Sequence, residues 1–260
     1  MTPTSTTRAY PGMLVEPGHV EPVPRRVRAR IGSSTVLDTT RALYVWEWAG
    51  YPQYHVPADD VDQTLLIDRG PDQTGPRGIS RSQDLRVGGA VVERAGQRYT
   101  SSELPGVADT IRFQWDALDA WFEEDEQVFV HPRNPYTRVD ALRSSRRVRV
   151  ELDGVVLAES DATVMVFETG LPTRYYFDRT AINLAALVPT PTVSECPYKG
   201  TTSDYWSVAT GNAVHADLAW SYAFPTRQLL PIAGLVAFYD EKVDVFIDGQ
   251  PQSRPVSPFS

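Results

Sequence analysis

A chain of 260 residues is too long for one small domain and about right for two domains of ordinary size. Hydrophobic residues make up 42% of it and charged residues 22%, so there is enough apolar material for a folded core. The net charge of −8 disfavours nucleic acids and anionic membranes as partners, since both need a positive surface. The 21 prolines and 17 glycines favour a turn-rich β protein.

The single cysteine excludes an internal disulfide and any zinc site that needs several cysteines. No apolar run approaches the ~20 residues of a transmembrane helix, and the first residues lack the apolar segment of a signal peptide. We therefore expect a cytoplasmic protein with no membrane partner. The histidines at 19, 55, 131 and 215 lack ligand spacing, so we predict neither a metal nor a cofactor.

Taken in chain order, the sequence begins with a proline-rich segment. Residues 1–24 contain five prolines and no periodicity, which predicts an extended arm. Residues 250–260 have the same character and are predicted to form a tail. The folded part of the protein is therefore expected between these two segments.

The central part of the chain repeats itself. Arg25-Arg26-Val27-Arg28 returns as Arg146-Arg147-Val148-Arg149, and this offset of 121 holds for about thirty residues. Residues 121–124 also resemble residues 238–241, because both are an aromatic pair followed by two acids. The repeat predicts two copies of one domain, a first copy over 25–135 and a second over 146–249.

The elements within the copies have the pattern of strands. Val148, Val150 and Leu152 alternate with charged residues. Asp153-Gly154 then predicts a hairpin turn, and Asp248-Gly249 predicts another near the end of the second copy. The best candidate for a short helix is 116–124. The predicted fold class is mainly β, with two similar compact domains and little helix.

Five stretches of the second copy resemble the conserved segments of a known domain family. They are RRVRVELDGVVLAES (146–160), FETGLPTRYYF (167–177), CPYKGTTSDYWSV (196–208), AWSYAFP (219–225) and IAGLVAFYDEKVDVFIDG (232–249). They resemble the bacterial domain of unknown function 427 (DUF427). The second copy looks intact, whereas the first looks divergent, because LLIDRGPDQTGPRGISRSQDLRV (65–87) stands in place of CPYKG. The resemblance implies a coiled-sheet architecture similar to the β-tent group, and it implies no established reaction.

The CPYKG motif supplies candidate catalytic residues. Cys196 is a candidate nucleophile because Lys199, three residues away, can stabilise a thiolate. Lys199 is itself a candidate nucleophile, and Glu168, at the end of an apolar run, is a candidate general acid/base. The structural alternatives stay open: a lone cysteine often packs as a small hydrophobe, and Glu168 could pair with Arg174 or Lys199.

An aromatic set in the second copy supplies candidate ligand-binding residues. The residues predicted to bind a ligand are Arg174, Tyr198, Tyr205, Trp206, Trp220 and Tyr222. Trp220 and Tyr222 have strand spacing and would share one face, with Trp206 beside them on the floor of a pocket. The alternative is that these aromatics are core residues. Glu241 and Lys242 are predicted at a solvated hairpin edge.

Three functions are therefore open: two with an unidentified small molecule as the partner, and a purely structural one, an interaction protein with no pocket. The first is an enzyme that uses Cys196 or Lys199 with Glu168, and it requires these groups to converge within hydrogen-bond reach. The second is a non-catalytic binding or interaction module, in which Trp206, Trp220 and Tyr222 form an aromatic cage.

Overall fold

The computed structural model describes residues 15–211 and 213–260. These residues form two compact units, 15–135 and 136–260. Both units consist of antiparallel strands, and the helices within the described residues are 3-10 helices of three to six residues. None of these helices is long and apolar enough to cross a membrane. The prediction of a mainly β protein with two similar domains and little helix is confirmed.

The first unit contains two sheets within residues 15–135. Its strands are β1 (Val20–Pro22), β2 (Val27–Ile31), β3 (Ser34–Thr39), β4 (Leu43–Val45), β5 (Gln53–Pro57), β6 (Leu66–Gly75), β7 (Gly78–Val87), β8 (Ala90–Ser101), β9 (Thr110–Phe113), β10 (Ala120–Glu123) and β11 (Glu126–Val128). The order is β1-β4-β5-β9-β8-β7-β6 in the seven-stranded sheet and β11-β10-β2-β3 in the four-stranded sheet. The 3-10 helices are Ala58–Asp60, Gln63–Leu65 and Trp115–Ala117.

The second unit, described over 136–211 and 213–260, repeats this topology. Its strands are β12 (Val139–Ser144), β13 (Val148–Leu152), β14 (Val155–Ser160), β15 (Thr163–Glu168), β16 (Arg174–Phe177), β17 (Leu187–Thr190), β18 (Glu195–Cys196), β19 (Gly200–Thr201), β20 (Asp204–Thr210), β21 (Ala213–Ser221), β22 (Val236–Phe238), β23 (Asp244–Ile247) and β24 (Gln250–Pro251). The orders are β12-β15-β16-β22-β21-β20-β17 and β14-β13-β23-β24, with β18 and β19 as an additional ribbon. The 3-10 helices are Arg179–Ala181, Leu184–Ala186 and Arg227–Ile232.

The offset of 121 residues is also present in the three-dimensional structure. A β-bridge joins Leu37 to Val61 in the first unit, and the same bridge joins Ala158 to Ile182 in the second. The pairings β2–β3 and β13–β14 have their register shift at equivalent positions. The hairpin predicted at Asp153-Gly154 is confirmed, since both residues have positive φ, as the tight turn between β13 and β14 requires.

Two predictions near the end of the first copy are wrong. Trp121 pairs with Ala29, whereas Val245 pairs with Val150, so Trp121 corresponds to Val245 and the match of 121–124 to 238–241 is out of register. Aromatic residues followed by acidic residues occur at the ends of several strands. This recurring pattern explains why 121–124 and 238–241 look alike although they are not equivalent. The predicted helix over 116–124 is replaced by a 3-10 turn and β10, because burial there alternates with the period of a strand.

The predicted arms are partly structured. Residues 1–14 lie outside the described residues, but Val20–Pro22 forms β1 and pairs with β4. The second unit begins before the predicted start at 146, because β12 pairs with β15. Gln250–Pro251, at the start of the predicted tail, pairs with β23 as β24.

Each seven-stranded sheet has two different faces. One face packs on the four-stranded sheet and forms the main core, which includes Ala29 and Ile111 in the first unit and Val150 and Phe238 in the second. We call the opposite face the outer face. Smaller clusters lie there: Val45, Tyr99 and Val107 in the first unit, and Val164, Val166, Tyr176, Tyr205, Trp220, Tyr222, Leu229, Ile232 and Ala237 in the second.

Candidate functional site

The CPYKG motif forms the turn of the β18–β19 ribbon. Cys196 pairs with Gly200 across the ribbon, and Gly200 has a φ of +96°, a conformation that glycine adopts readily. Thr226 fixes the turn with two hydrogen bonds. Its backbone N–H donates to the carbonyl of Lys199 at 3.0 Å, and its hydroxyl donates to the carbonyl of Tyr198 at 2.6 Å. The motif is therefore an anchored turn.

The three candidate catalytic residues come together beside this turn. Glu168, at the end of β15, accepts a hydrogen bond from the Lys199 ammonium, and both side chains are about nine-tenths buried. The Lys199 Nζ also lies 3.9 Å from the Cys196 Sγ. Of the two partners considered for Glu168, the structure gives it Lys199 and not Arg174.

The protonation states of this cluster limit its chemistry. Burial raises the pKa of the Cys196 thiol, although Lys199 opposes the shift, so the thiol stays protonated at neutral pH. Burial lowers the pKa of Lys199, but the neighbouring Cys196 and Glu168 outweigh it and raise the pKa above its ordinary value. Burial also raises the pKa of Tyr176 to about 12. The cluster thus holds an ion pair and protonated groups, and a nucleophile needs the deprotonated form.

Arg174 lies at the start of β16 and has a different carboxylate partner. Its Nη1 and Nη2 donate to the two carboxylate oxygens of Glu241 at 2.7 and 2.6 Å. The Glu241 side chain is completely buried, so its predicted place at a solvated edge is wrong. Burial raises the pKa of Glu241, but the hydrogen bonds from Arg174 and Ser257 outweigh this and lower it. The result is a buried, bidentate ion pair.

The predicted aromatic set is divided between the two faces of the sheet. Tyr205, Trp220 and Tyr222 belong to the outer-face cluster, where Trp220 and Tyr222 share a face as their spacing indicated. Trp206 pairs with Ala219 and lies in the main core, on the opposite face. The structure therefore does not bring Trp206 to the other candidates.

Three aromatic rings surround the Arg174 guanidinium. Its Cζ lies 5.9 Å from the ring centroid of Trp220, 5.6 Å from that of Tyr239 and 5.8 Å from that of Phe259. These are cation–π distances. The Tyr239 hydroxyl also hydrogen-bonds the Tyr205 hydroxyl at 2.7 Å. The aromatic box of the second copy thus holds the protein's own cation.

Sequence reasoning missed the residues that complete this box. Tyr239 and Glu241 follow β22, and Asp240 between them is buried, with its carboxylate 3.8 Å from Arg174. Burial raises the pKa of Asp240 to about 7. The sequence did contain a signal for these residues. VAFYDE is an apolar run followed by acidic residues, the same pattern that singled out Glu168 in VMVFE. Phe259 had no comparable signal, since it lies in the predicted tail and its contacts, Arg174 and Tyr239, lie in the domain.

Comparison with known families bears on both units. The model of the family described as "Domain of unknown function (DUF427)" matches the chain twice, over residues 19–124 and 140–249. Comparison with curated proteins found no match. The two matched ranges include β1 and most of β12, the strands that precede the predicted copies. They cover well over half of the chain and confirm the resemblance read from the sequence. The protein belongs to the DUF427 family and carries two tandem copies of its domain.

Proposed function

We propose that the second copy is a non-catalytic binding module for a small molecule with an aromatic ring and a hydrogen-bond donor. Its site is the Arg174–Glu241 pair together with Tyr239. One observation carries the proposal: the C-terminal tail occupies this place. The Ser257 hydroxyl donates to Glu241, and the Phe259 ring lies 6.0 Å from the Tyr239 ring.

The tail indicates the chemistry of the ligand. Residues 250–260 lie beyond the matched range, which ends at 249, and after β24 two residues of this tail, Ser257 and Phe259, contact the outer face of the domain. Phe259 is 42% exposed, so the domain covers only part of its side chain. A ligand that replaces the tail would stack an aromatic ring beside Arg174 and donate a hydrogen bond to Glu241.

The same geometry favours binding over catalysis. The cluster of Cys196, Lys199 and Glu168 converges as an enzyme would need, but its thiol and amine are held in their protonated, unreactive forms. It also disfavours a cationic ligand, because Arg174 already fills the aromatic box. A neutral or anionic aromatic compound suits the site better.

We further propose that the protein is a bacterial, cytoplasmic one with a β-tent architecture. The free thiol of Cys196 suits a reducing compartment. Two facing sheets per unit suit the architecture that the family resemblance implies. Fractionation of the source cells tests the location, and recovery of the protein with the envelope would contradict it.

Full-length Phe259→Ala tests the binding module. The matched control is Val256→Ala, which shortens an exposed side chain of the same tail. We expect phenol to bind Phe259→Ala roughly tenfold more tightly than the control in isothermal titration calorimetry, because the competing ring is gone. Cyclohexanol, which lacks the aromatic ring, should gain nothing. Equal phenol affinity in the two variants, or equal gains for the two alcohols, would contradict the proposal.

A further inference from the structure

The outer face of the first copy holds a polar cluster of its own. Glu47 follows β4, and three nitrogen atoms surround its Oε1: Arg77 Nε at 3.3 Å, Arg112 Nε at 3.5 Å and His55 Nε2 at 3.6 Å. Arg77 lies in the turn between β6 and β7, in the segment that replaces the CPYKG motif. The first copy has lost that motif but keeps a carboxylate with cationic neighbours.

The hydrogen bonds around His55 define its tautomer. The Thr110 hydroxyl donates to the carbonyl of Val107 at 2.6 Å, so it accepts from His55 Nδ1 at 3.1 Å. Burial lowers the pKa of His55, although Glu47 opposes the shift, and the neutral ring therefore has a lone pair on Nε2. That lone pair faces Glu47 Oε1, itself an acceptor. Both atoms are buried without a hydrogen bond, as is Arg112 Nε.

The cluster carries an excess of positive charge. Two guanidinium groups face one carboxylate, and the imidazole is neutral, so the net charge is one positive. Arg77 Nε donates to the Tyr99 hydroxyl at 3.3 Å and lies equally close to Glu47, whereas Arg112 Nε faces Glu47 without a hydrogen bond. In the described part of the chain, no hydrogen bond is made by the terminal nitrogens of either arginine. The side chains of Arg77 and Arg112 are 28% and 16% exposed, so solutes can reach them. Partly exposed guanidinium groups of this kind bind oxyanions.

We propose that the first copy binds a small oxyanion, a carboxylate or a phosphate, between Arg77 and Arg112. The anion would accept hydrogen bonds from the terminal nitrogens of both guanidinium groups and neutralise the excess charge. Glu47 holds the two arginines through their Nε atoms. This site lies in the other copy from the proposed aromatic site and does not depend on it.

The test uses the full-length protein with sodium phosphate and sodium acetate, titrated against sodium chloride at constant ionic strength. Binding is measured by isothermal titration calorimetry and by the NMR signals of the His55 ring, which lies beside the site. We expect saturable binding of phosphate or acetate, and the preferred one identifies whether the site takes a tetrahedral or a planar oxyanion. Arg77→Gln and Arg112→Gln should each weaken it about tenfold, because each removes a charge-assisted contact.

Two further variants separate binding from structure. Arg86→Gln removes an exposed arginine of β7 and should leave the affinity unchanged. Glu47→Gln removes the competing negative charge and should tighten anion binding, a gain that a purely structural ion pair does not predict. The proposal is overturned if neither oxyanion binds, if chloride acts equally well, or if Arg77→Gln and Arg112→Gln bind as the wild-type protein does.

Discussion

The outer faces of the two copies hold a carboxylate at the same place and neutralise it in different ways. Glu47 and Glu168 are 121 residues apart, and each follows the apolar end of the corresponding strand. Glu168 faces a single ammonium group, that of Lys199, whereas Glu47 faces the guanidinium groups of Arg77 and Arg112. The duplicated sheet therefore determines where the carboxylate lies, and the connecting segments determine its counter-ions.

The residues around the carboxylate are also more polar and more basic in the first copy than in the second. His55 takes the place of Tyr176, at the offset of 121. Strand pairing aligns Ile111 with Val236, so Arg112 takes the place of Ala237. The second copy surrounds a neutral ion pair with aromatic rings, and the first surrounds its carboxylate with polar and cationic groups. One scaffold thus presents two chemically different faces.

The largest effect is expected from Lys199→Met. It leaves the buried Glu168 without its cation, which should lower the free energy of unfolding of the second copy by about 3–5 kcal/mol. Hydrogen exchange with mass spectrometry reads the two copies separately. Adding Glu168→Gln should restore most of the loss, because the uncompensated charge is then removed.

The matched change in the first copy is Arg112→Met. Glu47 keeps Arg77 as a counter-ion, so the first copy should lose only about 1 kcal/mol. If Arg112→Met and Lys199→Met lowered the free energy of unfolding of their copies equally, the number of counter-ions would not matter. The proposed difference between the two copies would then be wrong.

An effect smaller than that of Lys199→Met is expected from the titration of Asp240. Burial raises its pKa to about 7 in the folded protein, against about 3.9 in an unfolded chain. The folded state then binds the extra proton, so the contribution of Asp240 to stability is fully present below pH 4 and is lost as the pH rises through 7. Between pH 5 and pH 8 the loss is on the order of 3 kcal/mol. Chemical denaturation of wild-type protein and Asp240→Asn at pH 5 and pH 8 checks this. A wild-type pH dependence that persists in the variant would contradict it.

The sequence was informative where contacts are local or periodic. Alternating residues and Asp-Gly turns predicted the strands and hairpins. The spacing of three residues within CPYKG predicted that Lys199 lies near Cys196. The sequence failed where hairpin register decides the outcome. Trp206 pairs with Ala219, and Tyr205 pairs with Trp220, so the two tryptophans point to opposite faces. A shift of one residue exchanges the faces of a strand, and the sequence does not contain that register.

Long-range partners were also beyond the sequence. Arg174 and Glu241 are 67 residues apart, and no local pattern joins them. The position of Glu47 could be predicted by its offset from Glu168, but its counter-ions could not. Arg112 stands where the second copy has Ala237, and Arg77 lies in a short turn that replaces the longer connection with Lys199. Only the folded sheet shows that they meet.

The smallest effect, and the one that distinguishes the copies most directly, concerns His55. Burial lowers its pKa in the folded protein, against the opposing charge of Glu47, and Arg77 and Arg112 favour the neutral ring further. The unfolded chain therefore takes up a proton first. The contribution of the neutral His55 to stability is fully present above pH 6.5, its ordinary pKa, and falls as the pH decreases below that value. The NMR titration of the His55 ring should have its midpoint below pH 6.5.

The pH dependence of stability expected from His55 is opposite in sign to that expected from Asp240. Acid should weaken the first copy through His55 and strengthen the second through Asp240, although both copies have one topology. His55→Gln should remove the loss of the first copy near pH 6 and leave the second unchanged in hydrogen exchange. A midpoint for His55 at or above pH 6.5 would mean that Glu47 outweighs burial and holds the ring as a cation. The first copy's cluster would then carry one more positive charge, and its affinity for an oxyanion would rise as the pH falls.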